Sequence, residues 1–264
     1  MPQQPSAEYR IPAMFPPGVA VVFGGSGGLG GAIGASFAAH GSDVMLSYRH
    51  GADRAEALAQ TIRDAGGRAR IGQADIGDPA SIAAFLKEAA SAGPIHSVIF
   101  ASGPHIYFEY VANSDMARLR EYVEADVFGF MNIAQASIPY LRESKGSITA
   151  LVTCGVNRWL VQDILSIMPK AAVWSLVQGV AKEEGRYGVR ANAIGVGVID
   201  AGMTLRGRKN GDMSDGFLTG VAKMTSLRRL GQTADVAETA AFLASARASY
   251  VTGQLINVDG GLAA

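Results

Sequence analysis

The apolar run "GVAVVF" at 18–23 leads straight into "GGSGGLGGAIG" at 24–34, and no other stretch of the chain limits the possible folds as much. Gly24, Gly28 and Gly30 stand at the spacing G-x-x-x-G-x-G, with Ser26, Gly27 and Leu29 among them. Glycines allow a tight turn and let backbone N–H groups approach a pyrophosphate at a helix N-terminus. A glycine loop alone is weak evidence. One that follows an apolar strand and opens a helix points to a dinucleotide-binding βαβ unit. The competing reading is a flexible turn that holds no ligand.

The rest of the chain repeats that alternation. Further strands are predicted at 43–48, 68–73, 96–101, 147–152, 189–194 and 254–258. Most are apolar without strict alternation, as expected of strands covered on both faces. Helices are predicted near 29–40, 52–65, 79–92, 115–142, 167–187 and 233–246. Asp78 reads as an N-cap followed by Pro79, and Thr233 as the cap of the last helix. In the helix over 115–142, Leu119, Tyr122, Asp126, Phe130 and Ile133 recur at three- and four-residue spacing, so one apolar face carries an acid.

This pattern implies an α/β fold, a Rossmann-type doubly wound sheet of seven parallel strands with helices on both faces. Ligands of such sheets bind beyond the carboxyl ends of the strands. Residues 1–17 hold five prolines and read as a surface arm, and residues 18–264 as a single domain. The stretch 200–225 reads as one long irregular connection, a lid over the site.

Composition excludes several classes. With 48% apolar and only 17% charged residues, disorder is disfavoured. The formal net charge is zero, so no nucleic-acid or acidic-membrane footprint shows. No uninterrupted apolar run approaches the length of a membrane span. The single cysteine, Cys154, cannot form an internal disulfide, which fits a cytoplasmic setting. His40, His50, His96 and His105 show no metal-ligand spacing.

The second strand ends in "LSYRH", Leu46 to His50. An acid here would bind an adenosine ribose, and none is present. Tyr48 aside, the donors are Arg49 and His50, which suit a 2′-phosphate and favour NADP(H) over NAD(H). The alternative is that Arg49 is merely a solvated surface residue.

Over residues 17–264 the chain resembles the short-chain dehydrogenase/reductase family. The glycine loop has the family's spacing. "QADIGD" contains Asp75, similar to the acid that contacts adenine. Lys170 opens "KAAVWSLVQGVAKEEGRYGVRANAI", similar to the family's active-site helix and following strand. "SLRRLGQTADVAETAAFLAS" and "YVTGQLINVDGG" resemble its C-terminal region. The resemblance implies further cofactor contacts from Ile76, Ala101, Ser102, Gly103, Lys170, Gly197 and Ile199. It also implies a small-molecule substrate, a ketone or thioester, and a homodimer or homotetramer.

The family's catalytic positions are mostly replaced. Its loop threonine matches Phe23, its helix asparagine Asp126, its serine Thr153 and its tyrosine Ser166. Only the lysine remains, as Lys170. A phenol titrates near ~10 and serves as a proton source, whereas a serine hydroxyl is a far weaker acid. Ordinary ketone reduction is therefore disfavoured, because a lost general acid costs ~10²–10⁴-fold. Reduction of an activated C=C asks mainly for hydrogen-bond donors to a developing oxyanion, which Ser166, Thr153 and Lys170 can supply. Some dienoyl-thioester reductases of the family look similar here, including an aspartate that matches Asp126. His105 is a further candidate acid. Two rivals remain: a cofactor-binding pseudoenzyme acting as scaffold or sensor, and a non-redox isomerase or lyase using Asp126 and Lys170.

Overall fold

The computed structural model of the chain describes residues 13–105 and 107–264. Seven strands form one sheet: β1 Val19–Phe23, β2 Asp43–Tyr48, β3 Arg68–Gln73, β4 Ile95–Phe100, β5 Ser147–Thr153, β6 Arg190–Val196 and β7 Leu255–Val258. Their order is β3-β2-β1-β4-β5-β6-β7 and every neighbouring pair is parallel. Strand β1 is buried on both faces because successive side chains point to opposite sides. Val19, Val21 and Phe23 enter one core, and Ala20 and Val22 enter the other.

The helices are α1 Gly28–Ala39, α2 Ala52–Asp64, α3 Pro79–Ala90, α4 Met116–Val123, α5 Gly129–Ser144, α6 Ile164–Glu184, α7 Met203–Asn210, α8 Asp215–Met224 and α9 Thr233–Ala244. Helices α1 and α9 fill one face with Phe37, Ile33, Val236 and Ala240. Helices α3, α5 and α6 fill the other with Phe85, Phe130, Ile133 and Val173. Asp78 caps α3 as expected, its carboxylate accepting the Ala80 N–H at 2.9 Å, with Pro79 in the first turn.

The structure corrects several expectations. The helix expected over 115–142 is interrupted by a π-helical turn at Glu124–Phe128. Thr233 is the first helical residue of α9 rather than its cap; Gln232 caps it, in a reciprocal capping box with Asp235. A longer side chain at the cap was missed because Ser, Thr, Asp and Asn dominate that position. The stretch 200–225 is not irregular, since it holds α7 and α8. Ser214 accepts the Phe217 N–H at 3.1 Å to start the second of these.

One helical stretch does reach the length of a membrane span. The helical stretch Ile164–Tyr187 is long and apolar enough by composition to cross a membrane, with mean hydropathy 1.4. Helix α6 within it packs on β5 and β6 and carries Lys170, so its apolar residues build the core. The proposed arm lies largely outside the described residues. Its end is tied down: Phe15 is buried, stacks on Phe37 at 4.7 Å and on His96 at 5.3 Å.

Candidate active site

Strand order reverses between β1 and β4, and the glycine loop leaves the sheet at that point. Ala101 N–H bonds the Phe23 carbonyl at 2.9 Å, so the loops after β1 and β4 start in contact. Gly24 has φ +82, and a Cβ there would sit 2.6 Å from the Ala101 carbonyl oxygen. A Cβ on Gly30 would sit 2.2 Å from the Gly24 oxygen. From β2, Ser47 holds the turn: its Oγ accepts Gly24 N–H at 2.9 Å and its carbonyl accepts Ser26 N–H at 3.1 Å. Helix α1 has Gly27 at its N-cap and no side-chain capping bond. Its first-turn N–H groups therefore suit an anion, and the cradle fits a pyrophosphate.

A cleft of about 1230 Å³ opens from this turn across the carboxyl ends of β1, β4, β5 and β6. Of the expected cofactor contacts, Gly24, Ser26, Gly27, Gly28, Leu29, Ala101, Ser102, Gly103, Lys170, Gly197 and Ile199 line it. Gly30 does not, because it packs beneath Gly24. Tyr48, Arg49, His50, Asp75 and Ile76 also fall outside the lining. Arg49 and His50 are exposed past the end of β2. Asp75 turns its Oδ1 to the Gly77 N–H at 2.9 Å, and Ile76 packs on Gly129. Instead Arg54, in the first turn of α2, is the cation of that region that reaches the cleft. No sequence motif marked it, since its placement depends on where α2 lies.

All five expected catalytic residues line the cleft: Asp126, Thr153, Ser166, Lys170 and His105. Asp126 sits in the π-helical turn, a distortion that often marks functional sites. Its buried carboxylate accepts from Lys170 Nζ at 2.9 Å. The ammonium also donates to the Ser102 carbonyl at 3.3 Å and lies 4.8 Å from the centre of the Phe100 ring. Such a buried charge needs these partners to be tolerated. Thr153 Oγ1 accepts Gly155 N–H at 3.1 Å, which leaves its O–H free to donate.

One ionisable residue here was missed by sequence reasoning. Asp163 lines the cleft, is 7% exposed, and stands three residues before Ser166 at the start of α6. Burial pushes its carboxyl up to about 7, and the nearby Ser166 hydroxyl pulls back only part of that shift. Two other groups are pushed away from reactivity. Burial raises the Cys154 thiol to about 12, which makes it a core residue. Burial likewise raises Tyr122 to about 12, and its hydroxyl donates to the His105 carbonyl.

The family model described as Enoyl-(Acyl carrier protein) reductase matches residues 24–263. The chain belongs to the short-chain dehydrogenase/reductase family. It is 30% identical over 244 residues to the "Uncharacterized oxidoreductase YmfI" of Bacillus subtilis, covering 92% of this chain and 97% of that one. It is 29% identical over 250 residues to the 3-oxoacyl-[acyl-carrier-protein] reductase FabG of Staphylococcus aureus, covering 92% and 97%. A short-chain type dehydrogenase/reductase from Mycobacterium ulcerans superposes with a TM-score of 0.86 at 28% identity, covering 93% and 90%.

The protein is thus an oxidoreductase of the short-chain dehydrogenase/reductase type. The family uses nicotinamide cofactors, acts on small molecules and often forms oligomers. Phe23, at the end of β1, points into the core and packs edge-on to Phe85 at 5.2 Å. Over the cleft lie α7 and α8, tied to the loop after β4 by two contacts. Phe217 meets Phe108 at 5.7 Å between ring centres, and Asp212 meets His105 Nε2 at 3.3 Å. His105 is therefore held toward this cover. Arg206 faces the cleft, while Arg208 pairs with Asp200 and Asp215 and Lys209 lies outside.

Proposed function

We propose that this protein is an NADP(H)-dependent reductase of an activated C=C bond, with an enoyl thioester as the substrate class. The observation that carries the reading is the donor set at one end of the cleft. Ser166 and Thr153 hydroxyls stand where the family has its tyrosine and serine, beside an ammonium already neutralised by Asp126. No phenol occupies position 166 to protonate a ketone oxygen.

The uncapped start of α1 would hold the pyrophosphate, Arg54 the 2′-phosphate, and Ser102, Gly103 and Lys170 the ribose side. The cofactor supplies hydride to the β-carbon of the bound substrate. Negative charge then develops on the thioester oxygen, and Ser166 and Thr153 donate hydrogen bonds to it. Lys170 stays paired with Asp126 and adds positive potential without giving up a proton. Apolar cleft residues Trp159, Met213 and Phe217 suit an acyl chain, and the FabG relative makes a thioester the natural first substrate. Exposed Phe128 and Met131 offer an apolar surface for a homodimer or homotetramer.

The test is NADPH oxidation followed by absorbance, with an enoyl thioester, a 3-oxoacyl thioester and a simple ketone compared. Turnover with the enoyl thioester well above the others supports the reading. A preference for the 3-oxoacyl thioester replaces it with ordinary carbonyl reduction. Tight NADPH binding without turnover of any substrate favours the pseudoenzyme instead.

A further inference from the structure

We infer that Asp163 is the acid of this site, handing its proton through the Ser166 hydroxyl to the substrate oxygen. The inference rests on the reductase reading of the cleft and names the proton source that reading lacks.

Three observations place Asp163 for this role. It occupies the N-cap position of α6, yet its side chain makes no capping bond. Ser166 follows it by three residues and lines the same cleft. It lines the cleft while being 7% exposed, with Ser166 at 5%. The residue before it, Gln162, has φ +68, a conformation that costs a non-glycine residue free energy and clusters at functional sites. That twist is held by the Gln162 carbonyl, which accepts Glu109 N–H at 2.7 Å.

Among the described residues, the surrounding charges leave Asp163 without a cation. Glu109, across the short bridge, is engaged by Arg118. Arg158, on the preceding loop, donates to the Ala264 carbonyl at 2.7 Å. Lys170, two turns along α6, is committed to Asp126. Cys154, which senses the Asp163 charge, is a buried thiol. A buried carboxyl without a cation favours its neutral form, consistent with a value of about 7.

Proton direction follows from counting hydrogens. Ser166 has one O–H. Beside an ionised Asp163 it donates to that carboxylate and has nothing for the substrate. Beside a protonated Asp163 it accepts, and its own proton is free to face the cleft. In the step, the β-carbon gains hydride from the reduced nicotinamide, which leaves oxidised. The C=C electron pair shifts and an electron pair comes to rest on the thioester oxygen. The Ser166 O–H bond breaks as that oxygen gains the proton. The Asp163 proton moves to Ser166 Oγ, leaving a carboxylate that water reprotonates, and the enol becomes the saturated thioester as its α-carbon gains a proton from water and its O–H gives one up to water.

Asp163→Asn, Asp163→Glu, Ser166→Ala and the double variant Asp163→Asn/Ser166→Ala test this in the full chain. Wild-type kcat should fall as pH rises through about 7. Asp163→Asn should lose ~10²–10³-fold in kcat and that pH dependence, with its NADPH Kd unchanged. Asp163→Glu should recover part of the rate together with a pH-dependent fall. The double variant should lose no more than either single one, because both remove one relay. Wild-type rate and pH profile in Asp163→Asn, or losses that multiply in the double variant, overturn the inference while leaving the reductase reading intact. A wild-type protein that turns over no substrate overturns both.

Discussion

Lys170 Nζ donates to Asp126 Oδ1 across 2.9 Å and to the Ser102 carbonyl at 3.3 Å, so one cation joins α6, the π-helical turn and the loop after β4. Residues that the sequence keeps 44 positions apart meet here as a buried ion pair. A pair of this kind adds little net stability, but breaking it strands the remaining charge.

Asp126→Ala is therefore expected to destabilise the fold by ~3–5 kcal/mol, read as a shift of the urea unfolding midpoint. Lys170→Ala should abolish turnover. If Asp126→Asn keeps full turnover, Asp126 cannot be the base of a lyase or isomerase, and that rival is removed.

Restoring the family phenol with Ser166→Tyr should create ketone reduction where the wild type has little. The gain expected from a phenol that donates directly, in place of a hydroxyl supplied through Asp163, is ~10-fold or more. Steady-state assays with a simple ketone measure it. No gain would mean that the wall formed by Asp163 and Asp126 leaves no room for a productive ring.

Two buried groups give the stability curve opposing slopes. His96 is pushed down from 6.5 to about 4 by burial, with Ser42 and Ser97 on its ring nitrogens and Phe15 stacked on its face. A depressed histidine contributes stability that is present above pH ~6.5 and lost as pH falls through about 4, roughly 3 kcal/mol in all. Asp163 acts in the other direction. Its raised carboxyl contributes stability below pH ~4 that is lost as pH rises through about 7. Asp163→Asn should thus become more stable relative to wild type as pH rises from 4 to 7. Adding His96→Gln should then flatten the curve over pH 4–6.5. Parallel wild-type and Asp163→Asn curves from urea unfolding would contradict the Asp163 assignment.

Arg54→Ala should weaken NADPH binding by ~10-fold or more and leave NADH binding nearly unchanged, because a phosphate-bound guanidinium contributes ~1.5–3 kcal/mol. Calorimetric titration with each cofactor reads the difference. Equal losses for both would place Arg54 elsewhere than at a 2′-phosphate. If Arg49→Ala alone discriminates between the cofactors, the original reading of "LSYRH" is restored.

The sequence carried the sheet and the glycine cradle because both depend on local rules. Apolar runs of strand length, glycines at fixed spacing and an Asp-Pro helix start act within a few residues of themselves, and the structure keeps all three. The same locality explains the misses. The π-helical turn at Glu124–Phe128 interrupts an unbroken helical pattern, since the apolar spacing on either side of it is unchanged. Helices α7 and α8 were hidden by glycines and mixed charge.

The catalytic end divides along the same line. By itself the sequence determined that Ser166 rather than a phenol stands four residues before Lys170, and that an acid lies on an apolar helix face. Only the tertiary structure decided that this acid sits in a π-helical turn, that Arg54 rather than Arg49 reaches the cleft, and that Asp163 is buried in the same cleft as Ser166. Charge pairing and desolvation are set by distance and burial in space, and a one-dimensional chain specifies neither until it has folded.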